Sequence, residues 1–237
     1  MDRIVIGNIG IDVLRKDIKN LHLSVHPPTG RVRISAPKHM KLDTIRVFAV
    51  SKVGWIKKHQ TKIRSQERET ARDFVTRESH YFMGKRYLLR VIDSESTPRV
   101  ILKHDIIEMY VRPGSGIGKR KEILDTWYRQ QLKELLPKYL AKWEKIIKVN
   151  VGEIGIKRMK TRWGTCNREA GRIWLNLEIA NKPPECLEYI LVHEMVHLLE
   201  RRHNEIFVTY MDRFLPKWRA IREELNQLPI GHPAWEY

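Results

Sequence analysis

Residues His193-Glu194-Met195-Val196-His197 spell H-E-x-x-H, and His203 follows six positions after the second histidine. The spacing predicts a helix, on which positions i and i+4 stand one above the other, so His193 and His197 can offer imidazole nitrogens to one metal ion. Glu194, one step round the helix, can reach water at that metal without being a ligand. Continued as helix, the chain would carry His203 about 9 Å along the axis and onto another side, out of reach of Zn–N bonds of about 2.0–2.1 Å. The helix must therefore stop, and the residues around His203 place the break after about Glu200, with Asn204 as an acceptable left-handed cap. A fold for this chain has to anchor the helix on a core, end it and turn back within a few residues.

Two imidazoles and a third protein ligand leave one tetrahedral position open, the arrangement of a catalytic rather than a structural zinc. His203 is the favoured third ligand, since imidazole suits zinc, while the carboxylates of Glu205, Glu223 and Glu224 stay open as competitors. Three imidazoles would also suit nickel or cobalt. Metzincins place glycine three residues after the second histidine; Glu200 stands there, which argues against that group. The other histidines (His22, His26, His39, His59, His80, His104 and His232) have no ligand spacing and read as surface or turn residues.

The chain predicts an α+β fold. In the first 40 residues apolar and polar positions alternate around Ile11-Asp12-Val13, Leu21 to Val25 and Val32 to Ser35, the pattern of strands joined by hairpins, with a turn at Pro27-Pro28-Thr29-Gly30. Residues 42–66 switch to helical spacing, with Ile45, Phe48, Ala49, Val53 and Ile56 on one side, and read as one long covering helix. Further hairpins are expected about Gly84 and about His104-Asp105. Residues 112–118, rich in glycine with one proline, form the best linker, dividing a mainly antiparallel β-rich domain, 1–113, from a second domain, 119–237. A phosphate-loop reading of Gly118-Lys119 fails: Pro113 stands where the first glycine is needed and Arg120 where Ser or Thr is needed. Helices are expected from Lys119 to about Leu136 and from Lys138 to about Lys148, separated by Pro137. An antiparallel hairpin follows, with 161–166 and 172–177 as its arms, and Pro183-Pro184-Glu185 then opens the histidine-bearing helix. Repeats are not evident.

The formal net charge of +17 over 237 residues makes an anionic partner plausible, nucleic acid included, because clustered Lys and Arg gain from counterion release. Part of the excess lies between Lys52 and Arg72, through Lys57, Lys58, Lys62, Arg64 and Arg68, and part at Lys119-Arg120-Lys121. These charges sit at helical spacing among apolar residues rather than among stacking aromatics. No run reaches the ~20 apolar residues of a membrane span, and the first residues lack a secretory pattern. The expectation is a soluble cytoplasmic protein with two free thiols, Cys166 and Cys186, and no membrane partner. Cys166 lacks a partner base that would make it a nucleophile. The oligomeric state is not legible.

The tract Arg162-Trp163-Gly164-Thr165-Cys166, the strand ending Ile173-Trp174-Leu175-Asn176, and the segment from Tyr189 through His193, His197 and His203 to Phe207 resemble the YgjP-like metallopeptidase family, itself similar to the SprT-like and WLM zinc peptidases. The family commonly has serine where Thr165 stands. The resemblance implies a zincin-like helical domain in which His193, His197 and His203 bind Zn2+, Glu194 is the general base, and Arg162, Trp163 and Gly164 border the substrate cleft. It implies a zinc metalloendopeptidase acting on proteins or peptides. The alternatives are a metal-dependent hydrolase of a nucleotide or other non-peptide substrate and a DNA-associated protease. Tyr210 and Arg162 are candidates for a second oxyanion donor.

Overall fold

The computed structural model describes residues 2–26, 29–65, 72–159 and 162–228. Pro27, Pro28, Gln66, Arg68, Thr161 and His232, which carried expectations above, lie outside the described residues. The described chain forms two compact units, 2–65 and 72–228, each with its own apolar core.

The first unit pairs β1 (Asp2–Ile6), β2 (Ile9–Lys16), β3 (His22–His26) and β4 (Arg31–Pro37) in the order β1-β2-β4-β3. Alternation drives it: Ile9, Ile11 and Val13 of β2 and Val32, Ile34 and Ala36 of β4 are buried on one face. The expected hairpins are present only in part. β1–β2 and β3–β4 are antiparallel, but β2 and β4 run parallel at the centre of the sheet. The covering helix is two helices, α1 (Leu42–Ser51) and α2 (Val53–Ser65), with Ile45, Ala49 and Ile56 in the core. Ser51, Val53 and Gly54 are weak helix formers, and the Ser51 hydroxyl donates back to the Phe48 carbonyl, so the long helix gives way at Lys52.

The second unit begins with a second four-stranded sheet, β5 (Ser79–Phe82), β6 (Lys85–Asp93), β7 (Arg99–Leu102) and β8 (Ile106–Val111), ordered β5-β6-β8-β7. Its plan repeats the first: two antiparallel hairpins joined by a parallel central pair, β6 and β8. The β5–β6 turn has Met83 and Gly84 both at positive φ, 48° and 75°, the two-residue hairpin whose twist matches the strands. The helix after this sheet, α3 (Ile117–Ile147), starts two residues before the expected Lys119 and does not stop at Pro137. Its buried stripe of Leu124, Tyr128, Leu132, Leu136, Trp143 and Ile147 runs past the proline, and that packing offsets a cost of about 3 kcal/mol. β8 and α3 share one core, so the 112–118 segment joins elements inside a unit, the described residues of which are 72–228.

β9 (Glu153–Lys157), β10 (Gly164–Asn167) and β11 (Arg172–Asn176) form a three-stranded sheet ordered β10-β11-β9, with the expected hairpin at β10–β11 and a parallel β9 that the sequence reading omitted. A 3-10 turn, Leu177–Asn181, leads to α4 (Pro184–Val196), and α5 (Glu205–Phe214) and α6 (Trp218–Gln227) complete the unit. Cys186, Leu187, Ile190, Leu191, Val192, Met195 and Val196 are all buried, so α4 is apolar nearly all round and is a core helix, packed by α3, α5, α6, β10 and β11. No described helix is long and apolar enough to cross a membrane. Cys166 and Cys186 are free.

Candidate metal centre

α4 ends sooner than expected. His197 is its C-cap, and the N–H groups of Leu198, Leu199 and Glu200 bond to the carbonyls of Met195, Val196 and Val196, tightening the last turn before the chain leaves the axis. Asn204 is not a left-handed C-cap. It has extended backbone (φ −92°) and is the N-cap of α5, its side chain accepting the Phe207 N–H at 3.0 Å. The break and the new cap together return His203 to the end of α4.

His193, His197 and His203 each present a ring nitrogen, and these atoms all lie within 4.8 Å of one another. The Nε2 atoms of His193 and His203 are 3.0 Å apart, close to the separation of about 3.3 Å that two nitrogen ligands have on one tetrahedral zinc. Burial and the neighbouring imidazoles push His193 down to about 3, and His203 is lowered for the same causes, so both rings carry free lone pairs at neutral pH. His197 Nδ1 lies 3.0 Å from the Glu200 carbonyl, a bond that puts its proton there and leaves Nε2 as the lone-pair nitrogen. His193 Nδ1 is buried without a partner among the described residues. Packing holds that ring: Tyr189 meets it at a centroid distance of 5.8 Å, and Phe207 lies 4.9, 4.8 and 4.7 Å from the His193, His197 and His203 rings. The donor set fits a divalent metal ion. Glu205, Glu223 and Glu224 do not join this cluster.

Glu194 is 5% exposed and lies against β10. A Cβ built on Gly164 would stand 2.6 Å from its Oε1, so only glycine lets the carboxyl approach the strand. Burial pushes Glu194 up to about 8, opposed by the Arg162 guanidinium. Cys166, near the same carboxylate, is pushed up to about 11 by burial and by Glu194, and is a thiol rather than a nucleophilic thiolate at neutral pH.

These groups line one cleft of about 1000 Å³, together with Arg162, Trp163, Thr165, Asn167, Arg168, Tyr189, Arg201 and Arg222. Asn176, 0% exposed, shapes its wall. Its Nδ2 donates to the Met159 and Arg162 carbonyls, each at 2.9 Å, and its backbone N–H bonds the Trp163 carbonyl. The approach to β10 is thus fixed by a residue that the sequence showed only as the end of a strand. Of the two suggested oxyanion donors, Arg162 reaches the cleft; Tyr210 stacks on Phe214 of its own helix and does not line it. Arg168, Arg201 and Arg222 were missed, for each sits in a different segment without motif spacing. His80, expected at the surface, is 1% exposed and paired with Glu78 at 2.7 Å.

Residues 19–228 match the YgjP-like, metallopeptidase domain family. The chain belongs to the YgjP-like metallopeptidase family. Metallopeptidases of this kind are hydrolases that use a metal ion, and the imidazole cluster is where this chain could hold one. Two solved structures resemble part of it. The metallopeptidase zymogen of Pyrococcus abyssi abylysin is 21% identical over 38% of this chain and 91% of its own, with a TM-score of 0.36. The metallopeptidase zymogen of Methanocaldococcus jannaschii jannalysin is 21% identical over 38% and 93%, with a TM-score of 0.35. No curated protein matches the chain significantly. Membership of the YgjP-like family therefore rests on the 19–228 match.

Proposed function

We propose that the chain is a zinc-dependent endopeptidase in which His193, His197 and His203 hold the metal and Glu194 is the general base. The observation that carries this reading is the convergence of three imidazole nitrogens beside a buried carboxylate in one cleft. Zinc bound there supplies Lewis acidity toward a carbonyl oxygen and toward water. Glu194 takes a proton from the attacking water at one carboxylate oxygen and returns it to the leaving amine. Acting as a base requires the ionised form, and a cation on the neighbouring imidazoles favours it against the burial that raises this group.

The chain's own residues position the substrate. Among the described strands β10 pairs with β11 alone, and its Thr165, Cys166 and Asn167 line the cleft, so an extended peptide can pair along that edge through backbone hydrogen bonds. Arg162 and Trp163, held by Asn176, form the adjoining wall. Elemental analysis beside a casein-cleavage assay tests the assignment. One zinc per chain is expected, lost in His203→Ala but retained in Glu205→Ala. Glu194→Gln should keep zinc and lose at least a hundredfold in turnover. Full activity of Glu194→Gln would remove the base, and zinc retained without His203 would return the third ligand to the carboxylates.

A further inference from the structure

Four guanidinium groups line the cleft from four separate segments: Arg162 ahead of β10, Arg168 in the β10–β11 turn, Arg201 between α4 and α5, and Arg222 on α6. Two carboxylates line it with them, Glu169 and Glu194, and the second is the proposed base. All four arginines are exposed, and none makes an ion pair or a side-chain hydrogen bond among the described residues. Arg222 lies over the Trp218 ring, at 6.0 Å from its centroid. Some guanidinium groups of the same unit are matched instead: Arg158 with Asp125, Arg172 with Glu153 and Arg219 with Asp212.

Cations brought to one cleft from four segments, with no ion pair of their own among the described residues, differ from a solvated helix face. A cleft with low-dielectric walls focuses such a field on whatever enters it. A guanidinium takes a carboxylate with two parallel hydrogen bonds, and the pairing is stronger when the surrounding wall excludes water. Trp163, Ile190 and Leu225 supply apolar wall in this cleft. Membership of a metallopeptidase family and the open edge of β10 favour a peptide over a nucleic acid as the anion.

We propose that the cleft selects acidic peptides, with Arg162, Arg168, Arg201 and Arg222 receiving aspartate and glutamate side chains on either side of the scissile bond. This rests on the peptidase reading above and names its substrate class. Lysine-rich segments are excluded by the same field, at no cost to the backbone pairing along β10.

The test uses the zinc-loaded full chain carrying Glu194→Gln, which reads binding without turnover. Fluorescence anisotropy compares two labelled peptides that share a neutral core and differ only in Glu or Lys flanks. The Glu-flanked peptide should bind at least tenfold more tightly. That ratio should shrink in 0.5 M salt and in a chain that also carries Arg168→Gln and Arg201→Gln, exposed positions whose loss leaves the core untouched. Equal affinities, or a ratio unchanged by the arginine substitutions, would overturn the proposal. A single-stranded oligonucleotide that binds more tightly than the acidic peptide, and is released by the same substitutions, would overturn it in favour of nucleic acid. Turnover of casein by the wild-type chain is measured separately: its absence counts against the peptidase reading, while the anisotropy ratio still decides the charge preference.

Discussion

Glu194 occupies the space where a side chain at residue 164 would stand, and this contact links the proposed base to the strand wall. Gly164→Ala puts a Cβ 2.6 Å from Oε1 and 2.7 Å from Cγ, so the carboxyl has to move. A misplacement on the ångström scale can cost about a hundredfold, and we expect kcat to fall by ~10–100-fold. The three imidazoles are untouched by this substitution, so zinc content should stay at one per chain; wild-type kcat in Gly164→Ala would show that the base does not depend on this contact. His193, Glu194 and His197 were legible as a set because helix geometry places residues four apart on one face and the glutamate one step round from them. Gly164 was legible only through resemblance, since nothing local says which side chain will press on it. Of the cleft arginines Arg162 was legible through the same resemblance, whereas Arg168, Arg201 and Arg222 were not legible at all. Each is an ordinary exposed cation in its own segment, and only the tertiary fold makes them neighbours.

At the level of elements, hairpins and helix starts could be read where the signal is local, as at the Met83-Gly84 turn and at Pro184 in the first turn of α4. What escaped was non-local. The parallel pairing of β2 with β4, and of β6 with β8, depends on strands separated by a hairpin arm, and alternation alone does not choose a neighbour. Pro137 misled for the opposite reason: the local cost is real, but a stripe of buried side chains on both sides of it holds α3 in one piece. The turn between α4 and α5 is the element on which the third imidazole depends. Asn204 starts α5 and stands next to His203, and Phe207 of that helix packs on all three rings. Asn204→Ala should lower stability by about 1 kcal/mol in a denaturant titration and weaken zinc affinity as well, because the cap fixes where His203 leaves the chain. A stability loss with unchanged zinc affinity would separate the cap from the centre.

Over the whole molecule, one topological plan is used twice with different outcomes. Each four-stranded sheet has hairpins flanking a parallel centre, and each is followed by helix, yet only the second shares its core with the helices of the metal centre. That asymmetry confines the proposed metal site to residues 72–228. The three histidines lie on α4 and just beyond it, and α4 is buried by most of the other elements of that unit, so a ligand there stabilises the core that holds it. At free zinc about a hundredfold above Kd the linkage is worth about 2.7 kcal/mol, provided that the unfolded chain does not bind. Hydrogen exchange with and without a chelator should therefore show slower exchange on zinc addition in α4, in residues 197–204 and in α5. β1 to β4, whose core is a separate cluster, should exchange at the same rate in both conditions. Equal protection of β1 to β4 would mean that the two cores open as one cooperative unit, and an absence of protection in α4 would mean that the imidazoles do not hold the ion.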